Sequence, residues 1–389
     1  MNEPVARMPP RALALPFDPL LLLATLGLMV ASLIVLAAAT ADDIPGQPHY
    51  YVNRQATFFT LGLILMAVIS RFDYTRLREL KYGIYGVAIV LIVAVAAFGG
   101  VTKGSRRAIQ LPFFEVQTSE VVKVLLVVVL AAVVVDRARD LASRQTTARI
   151  MLLALIPTAL VMLQPDLGSA LVYVVTAVAI LFVAGVPWYR LAVLGFVGVA
   201  AISFVLAIGP AIGVNVLQKY QVERLTAFLH PTDNPGDEGY QQNQSRIAVG
   251  AGQRTGRGEL SSQTRLNFLP EHHTDFIFAV VGERWGFVGS AIVLTLYALL
   301  LWRGLRILTI SKNLYGALIA GGIVAMILFQ LFVNVGMNIG IMPITGIPLP
   351  LLSYGGSSVL TTLIAIGLLQ SIYAQGRAAA ATKGRVLTM

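Results

Sequence analysis

Leu20-Leu-Leu-Leu-Ala-Thr-Leu-Gly-Leu-Met-Val-Ala-Ser-Leu-Ile-Val-Leu-Ala-Ala-Ala39 carries no charge. As a helix rising 1.5 Å per residue it is about 30 Å long, the thickness of the hydrocarbon core of a bilayer. The residues that follow, Thr40-Ala-Asp-Asp-Ile-Pro45, make a poor cleavage site, so the run reads as an uncleaved first span and not as a removed signal peptide. Outward from it, similar runs give ten spans in all, at about 20–39, 55–70, 83–101, 118–135, 149–164, 168–185, 191–210, 276–302, 314–336 and 355–374. Composition agrees: 57% of the 389 residues are hydrophobic and 12% charged, against about 25% charged in an ordinary soluble domain. The expected fold is all-α, a polytopic membrane protein with one transmembrane domain over 1–389.

The same composition excludes several chemistries. With no cysteine there is no disulfide framework, thiolate nucleophile or Cys-based zinc site. The net charge of +10 needs no nucleic acid to explain it, because Lys and Arg collect on the cytoplasmic loops of membrane proteins. With both termini inside, the inner segments hold 17 of the 29 Lys and Arg residues. The short outer segments hold only Arg54, Lys103, Arg106 and Arg107. Cytoplasmic tails are therefore expected at 1–19 and 376–389, and a large extracellular loop at 211–275. Within that loop, Gln241–Ala251 reads as an amphipathic surface helix. The last outer segment has no charge, and Pro343, Pro348 and Pro350 forbid a continuous helix there. Met342–Ser353 is expected to dip into the outer half of the membrane as buried, non-helical chain. No internal repeat is visible.

Ionisable groups in or beside the membrane mark candidate sites. Glu120 and Lys123, three residues apart, share one helical face. They read either as a buried ion pair or as a cation held ready for an anionic ligand. Arg106 and Arg107, with Lys103, form a positive cluster on the outer side, against the usual bias. Phosphate suits the planar fork of arginine; a solvated basic loop is the plainer reading. Asp166 is placed to N-cap the sixth span. Asp275 stands where the polar stretch from Asn267 meets the apolar run from Phe276, as a possible N-cap or first-turn acid of the eighth span. Glu283 lies two turns deeper, with Arg284 beside it. His272 and His273 could join Asp275 around a metal, although adjacent histidines seldom share one ion. Ser357, in Ser353-Tyr-Gly-Gly-Ser-Ser358, opens the last span, where backbone N–H groups suit an anion. Together these groups suit a lipid-linked phosphate whose headgroup reacts outside.

Three stretches carry a family resemblance: Gln164-Pro-Asp-Leu-Gly168, Leu269-Pro-Glu-His-His-Thr-Asp-Phe-Ile-Phe-Ala279 and Met342-Pro-Ile-Thr-Gly-Ile-Pro-Leu-Pro-Leu-Leu-Ser-Tyr-Gly-Gly-Ser-Ser358. Over about residues 20–375 the chain resembles the SEDS family of bacterial membrane glycosyltransferases. Gly104-Ser-Arg-Arg107 and Gln117-Thr-Ser-Glu-Val-Val-Lys123 match more loosely. Ala108 stands where the family usually has Trp, Thr118 where it has Pro, Gly250-Ala-Gly-Gln253 for its Gly-Ser-Gly-Gly loop, and Arg284 for a second acid.

The resemblance implies a multi-pass protein of the bacterial cytoplasmic membrane that polymerises lipid II into peptidoglycan on the outer face. Asp275 matches the essential acid of the family. It implies as partners a single-pass class B penicillin-binding protein and other membrane proteins of the elongation complex. It implies no required cofactor, although Mg²⁺ or Mn²⁺ could assist the departing pyrophosphate. Arg107, Arg106, Lys123, Glu120, Asp166 and Ser357 are the expected substrate-binding residues. The short N-terminus and Glu283-Arg-Trp-Gly-Phe-Val-Gly289 favour an elongation-type member over a division-type one. The rivals are a transporter that flips lipid II and a non-catalytic scaffold for the penicillin-binding protein.

Overall fold

The computed structural model describes residues 17–102, 105–110, 115–141, 143–207, 228, 237–261 and 268–386. Its long helices are α1 (Pro19–Ala39), α2 (Tyr50–Arg71), α3 (Lys81–Phe98), α4 (Thr118–Asp136), α5 (Arg144–Leu163), α6 (Leu167–Val183), α7 (Trp188–Ala207), α8 (Asp237–Ala251), α9 (Ile277–Ile310), α10 (Leu314–Asn338) and α11 (Gly356–Val386). Helices stand at all ten expected positions, as α1–α7 and α9–α11. Eight of these helices are long and apolar enough to cross a membrane, and the shorter α6 is apolar too. Large apolar side chains stay bare on the helix flanks, among them Phe98, Leu163 and Phe287 at 72–82% exposure. In water that would be costly; against lipid tails it is the expected outer surface.

The core helices are α4, α10 and α11, with most of each span window buried, while α3 lies at the rim. α11 runs along α2, α10 packs on α6 and α9, and α1 packs on α9. The connections alternate between two ends of the bundle. At one end Asp18 N-caps α1 by accepting from Leu20 N and Leu21 N, and Arg303 and Gln370 grip it. α9 continues past Arg303 to Ile310, eight residues beyond the expected end of its span. α11 likewise runs on into the expected C-terminal tail.

At the other end lie the features the periodicity did not show. Between α3 and α4 the chain makes a three-stranded antiparallel sheet, β1 (Gly100–Thr102), β2 (Ser105–Gln110) and β3 (Glu115–Gln117). A bulge in β2 falls at Arg107, between the pairs Gly100↔Ala108 and Val101↔Arg106. Strands this short bury little on their own, and hydropathy over a span-length window cannot register them. α8 covers Gln241–Ala251 and starts four residues earlier. It is not merely a surface helix: Ala248 is buried in a small cluster with Leu269, Phe276, Ala279 and Ile344, while Ile247 faces out.

α9 is not one continuous helix. Gly286 takes φ 62°, ψ −154°, a region closed to side chains. The chain just after α8 crosses there and borrows the backbone groups of α9. Arg257 N donates to Glu283 O at 2.8 Å, Phe287 N to Gln253 O at 2.9 Å and Val288 N to Arg254 O at 3.1 Å. The crossing needs glycine on both sides, since a Cβ at Gly252 would sit 1.8 Å from Gly282 O, one at Gly256 2.1 Å from Arg284 O and one at Gly286 2.5 Å from Gly256 N.

Met342–Ser353 is non-helical and largely buried, as its prolines require. Five of its carbonyls accept from side chains of five helices. Gln242 donates to Met342 O, Asn334 to Ile347 O, Tyr297 to Pro350 O, Ser32 to Leu352 O and Gln55 to Ser353 O, at 2.5–3.1 Å. Unpaired carbonyls at membrane depth would each cost several kcal/mol, roughly. Isolated polar residues on otherwise apolar helices remove that cost.

Candidate active site

Asp275 lies on the turn that leads into α9. It is neither the N-cap nor a first-turn acid. Phe276 is the cap residue, without a side-chain cap, so Asp275 stands one residue outside the helix and half-buried. Three consecutive carbonyls hold this turn. His273 O accepts from Tyr354 N at 2.9 Å, and Thr274 O from Ser353 Oγ at 2.6 Å. Asp275 O accepts from Asn334 Nδ2 at 3.0 Å and Asn338 Nδ2 at 3.2 Å. Asn334 and Asn338 sit one turn apart on the same face of α10. Asn338 Oδ1 in turn accepts from Ala279 N in the first turn of α9 and from Ser245 Oγ of α8. The backbone of Asp275 is therefore tied to the last turn of α10, the buried segment and α8.

The second group of expected residues gathers at the start of α4. Lys123 Nζ lies 2.6 Å from Glu120 Oε1, with both side chains almost fully buried, so the ion pair exists. Asp166 N-caps α6, accepting from Ser169 N at 3.1 Å. Its other oxygen accepts from Ser119 Oγ at 2.8 Å and Gln117 Nε2 at 3.2 Å. Ser357, at the start of α11, accepts from Gln117 N and donates to Glu115 O, both at 2.9 Å. Glu120, Lys123, Asp166 and Ser357 thus share the N-terminal turns of α4, α6 and α11. The buried segment links them to Asp275: Asn334 bonds both Asp275 O and Ile347 O, and a Cβ at Gly168 would lie 2.7 Å from Ile347 and from Thr345 O. The backbone of Arg106 and Arg107 lies on β2 at this end; their side chains fall outside the described residues, as does Lys103.

Among the described residues the histidines form a possible metal-ligand group with Asp43, from the loop between α1 and α2, and Asp275 is not a member of that group. His272 is buried, and burial alone would lower its pKa. The hydrogen bond and charge of Asp43 outweigh that and hold the pKa above the ordinary histidine value. Glu283 is fully buried, while Arg284 reaches the Ala38 carbonyl at the end of α1. Sequence reading passed over Ser119, Gln117, Asn334 and Asn338. Asn334 and Asn338 carried a signal, amide side chains at helical spacing inside an apolar run; Gln117 and Ser119, at the junction of β3 and α4, carried none of that kind.

Fold and site define a polytopic membrane protein with an acid-bearing turn clamped through its backbone at one end of the bundle and a buried Lys–Glu pair at the same end. A family model for FtsW, RodA and SpoVE, described as cell cycle protein, matches residues 14–378. The chain belongs to this family, the SEDS family of peptidoglycan glycosyltransferases. It is 36% identical over 357 residues to the peptidoglycan glycosyltransferase MrdB of Escherichia coli K12, covering 92% of this chain and 93% of that one. Stage V sporulation protein E of Bacillus subtilis strain 168 is 34% identical, with 91% and 96% covered. A chain from a peptidoglycan synthase complex that coordinates polymerization and crosslinking superposes with a TM-score of 0.77 at 31% identity, covering 93% of this chain and 99% of that one. RodA of Thermus thermophilus, a rod shape determining protein, superposes with a TM-score of 0.66 at 28% identity, covering 94% and 98%.

Proposed function

We propose that this enzyme polymerises lipid II into glycan strands at the outer face of the bacterial cytoplasmic membrane, with Asp275 as the general base. The observation that carries the assignment of the base is the clamp on the Asp275 turn. Three successive carbonyls are held, and the residue stands outside the helix it precedes instead of capping it. Asp275 takes the proton from the acceptor GlcNAc 4-hydroxyl as that oxygen attacks C1 of the donor MurNAc. The C1–O bond breaks and undecaprenyl pyrophosphate leaves. General-base help of this kind is worth about 10²–10⁴-fold. Lys123, held by Glu120, stabilises the departing pyrophosphate together with Arg107 and Arg106. Asp166 and Ser357 shape the same mouth. The partner is a single-pass class B penicillin-binding protein that cross-links the strands. Glu283-Arg-Trp-Gly-Phe-Val-Gly289 supports the elongation role, the RodA type rather than the FtsW type.

The test uses purified chain, its cognate penicillin-binding protein and labelled lipid II, with the penicillin-binding protein alone as blank. Native chain makes polymer on a gel; a folded Asp275→Asn variant makes none. Equal polymer from both removes Asp275 from the chemistry. No polymer from either, with lipid II crossing liposome bilayers, establishes a transporter instead. For the cellular role, the chain should restore growth to cells depleted of their elongation-type polymerase and fail in cells depleted of the division-type one.

A further inference from the structure

A second side-chain cluster lies at the Asp275 turn and draws on two of its residues. Asp43 comes from the loop between α1 and α2, and His272 and His273 from the turn before α9. One donor atom from each falls within 4.8 Å of the others. His272 fixes how its ring is used. Its Nδ1 is 2.7 Å from the Leu269 carbonyl oxygen. A carbonyl only accepts, so Nδ1 carries the proton and the lone pair of the neutral ring is on Nε2. That Nε2 faces Asp43 Oδ2 at 3.2 Å. Two acceptors at this distance repel unless positive charge stands between them. A proton could supply the charge, but it needs only these two atoms. A third donor, from His273, lies within 4.8 Å of both, which a shared proton does not use and a metal ion would.

We propose that Asp43, His272 and His273 form a binding site for a divalent transition-metal ion, with Zn²⁺ the ion best matched by two imidazoles and a carboxylate. In a tetrahedral shell with bonds of about 2.0–2.1 Å, neighbouring donors are about 3.3 Å apart. The edge from His272 to Asp43 already has that length. The half-buried His273 ring lies against Tyr51 and Tyr354, 4.8 and 6.0 Å between centroids, and binding would draw its donor in from within 4.8 Å of the other two. The Nδ1–H bond to a backbone carbonyl is the outer contact that orients histidine ligands on metals. A bound ion would join the α1–α2 loop to the turn three residues ahead of Asp275. This nitrogen-rich set is unlike the oxygen shell that Mg²⁺ takes beside a pyrophosphate.

The experiment takes the full chain without a histidine tag, in nanodiscs and stripped with EDTA. Zn²⁺ is titrated against a chromophoric chelator, with metal content read by mass spectrometry and Co²⁺ substitution read by visible absorption. The expected result is one Zn²⁺ per chain and a tetrahedral Co²⁺ spectrum. Asp43→Asn and His272→Gln should each weaken Zn²⁺ binding by at least about 10-fold, while His49→Ala and Asp275→Asn bind as the native chain does. Zn²⁺ should also raise the Tm of the native chain and not that of Asp43→Asn, a comparison that holds if His272→Gln folds poorly. Absence of stoichiometric binding, or equal binding by all variants (an adventitious ion only), overturns the proposal. Loss of binding on Asp275→Asn would do so as well, by moving the site to the catalytic acid.

Discussion

Lys123 and Glu120 carry opposite charges 2.6 Å apart in a nearly dry setting. Removing one partner strands the other, at a cost of about 3–5 kcal/mol, whereas replacing both by apolar residues of similar size is often close to neutral. Lys123→Met alone should therefore lower the thermal stability of the purified chain sharply. The double variant Glu120→Leu, Lys123→Met should regain most of it. Stability thus separates from chemistry. If Lys123 serves the pyrophosphate, the restabilised double variant still polymerises about 10²–10³-fold more slowly. Polymerisation restored along with stability would leave the pair as a structural staple and remove Lys123 from the mechanism.

At the scale of elements, the break in α9 and the buried segment Met342–Ser353 share one logic. Each brings irregular backbone into the buried interior, and each is tolerated because other elements satisfy its polar groups. For α9 the partner is backbone, from Gln253, Arg254 and Arg257. Gly286→Ala would place a methyl group 2.5 Å from Gly256 N in a conformation reserved for glycine. We expect a loss of at least about 1–3 kcal/mol, seen as a lower unfolding temperature in nanodiscs. Gly83→Ala, in α3, is the control. A Cβ there would meet nothing within 4 Å, so the change should be neutral or stabilise by about 1 kcal/mol. Equal behaviour of the two variants would mean that the crossing does not hold α9 open.

For the whole molecule, the alternation of connections between two ends makes topology testable, and the absence of cysteine makes the test clean. Gln47 lies at the end that holds Asp275, and Arg139 at the end that holds Asp18; both are exposed. With cytoplasmic termini, Gln47→Cys should react with a membrane-impermeant maleimide in intact cells, and Arg139→Cys only after lysis. The reverse pattern would turn the site toward the cytoplasm and end the proposal of an outer-face polymerase. The ion pair of Arg78 with Asp136 at 2.7 Å and the contact of Tyr74 with Asn313 at 3.0 Å belong to the Arg139 end. They join α4, α10 and the chain after α2 away from the chemistry.

By itself, the sequence determined the class of fold, the places of its long helices and the buried proline segment, and it pointed to one acid as the candidate. These depend on local quantities: apolar runs of bilayer length, prolines that cannot continue a helix, and a carboxylate at the edge of a run. Tertiary structure alone decided how those parts serve one another. Periodicity could not show that Asp275 stands outside its helix, because the cap depends on which neighbours take the carbonyls of the turn. Nor could it show that Asn334 and Asn338 hold that turn, since an amide in an apolar run has no partner until α9, α10 and the segment near Ile347 are packed together. The same holds for Asp43, 229 residues from His272 in sequence and 3.2 Å from it in the fold. Hydropathy is a sum along the chain. Positioning is a property of carbonyls, amides and charges brought together from distant parts of it, where burial forces each polar group to find a partner.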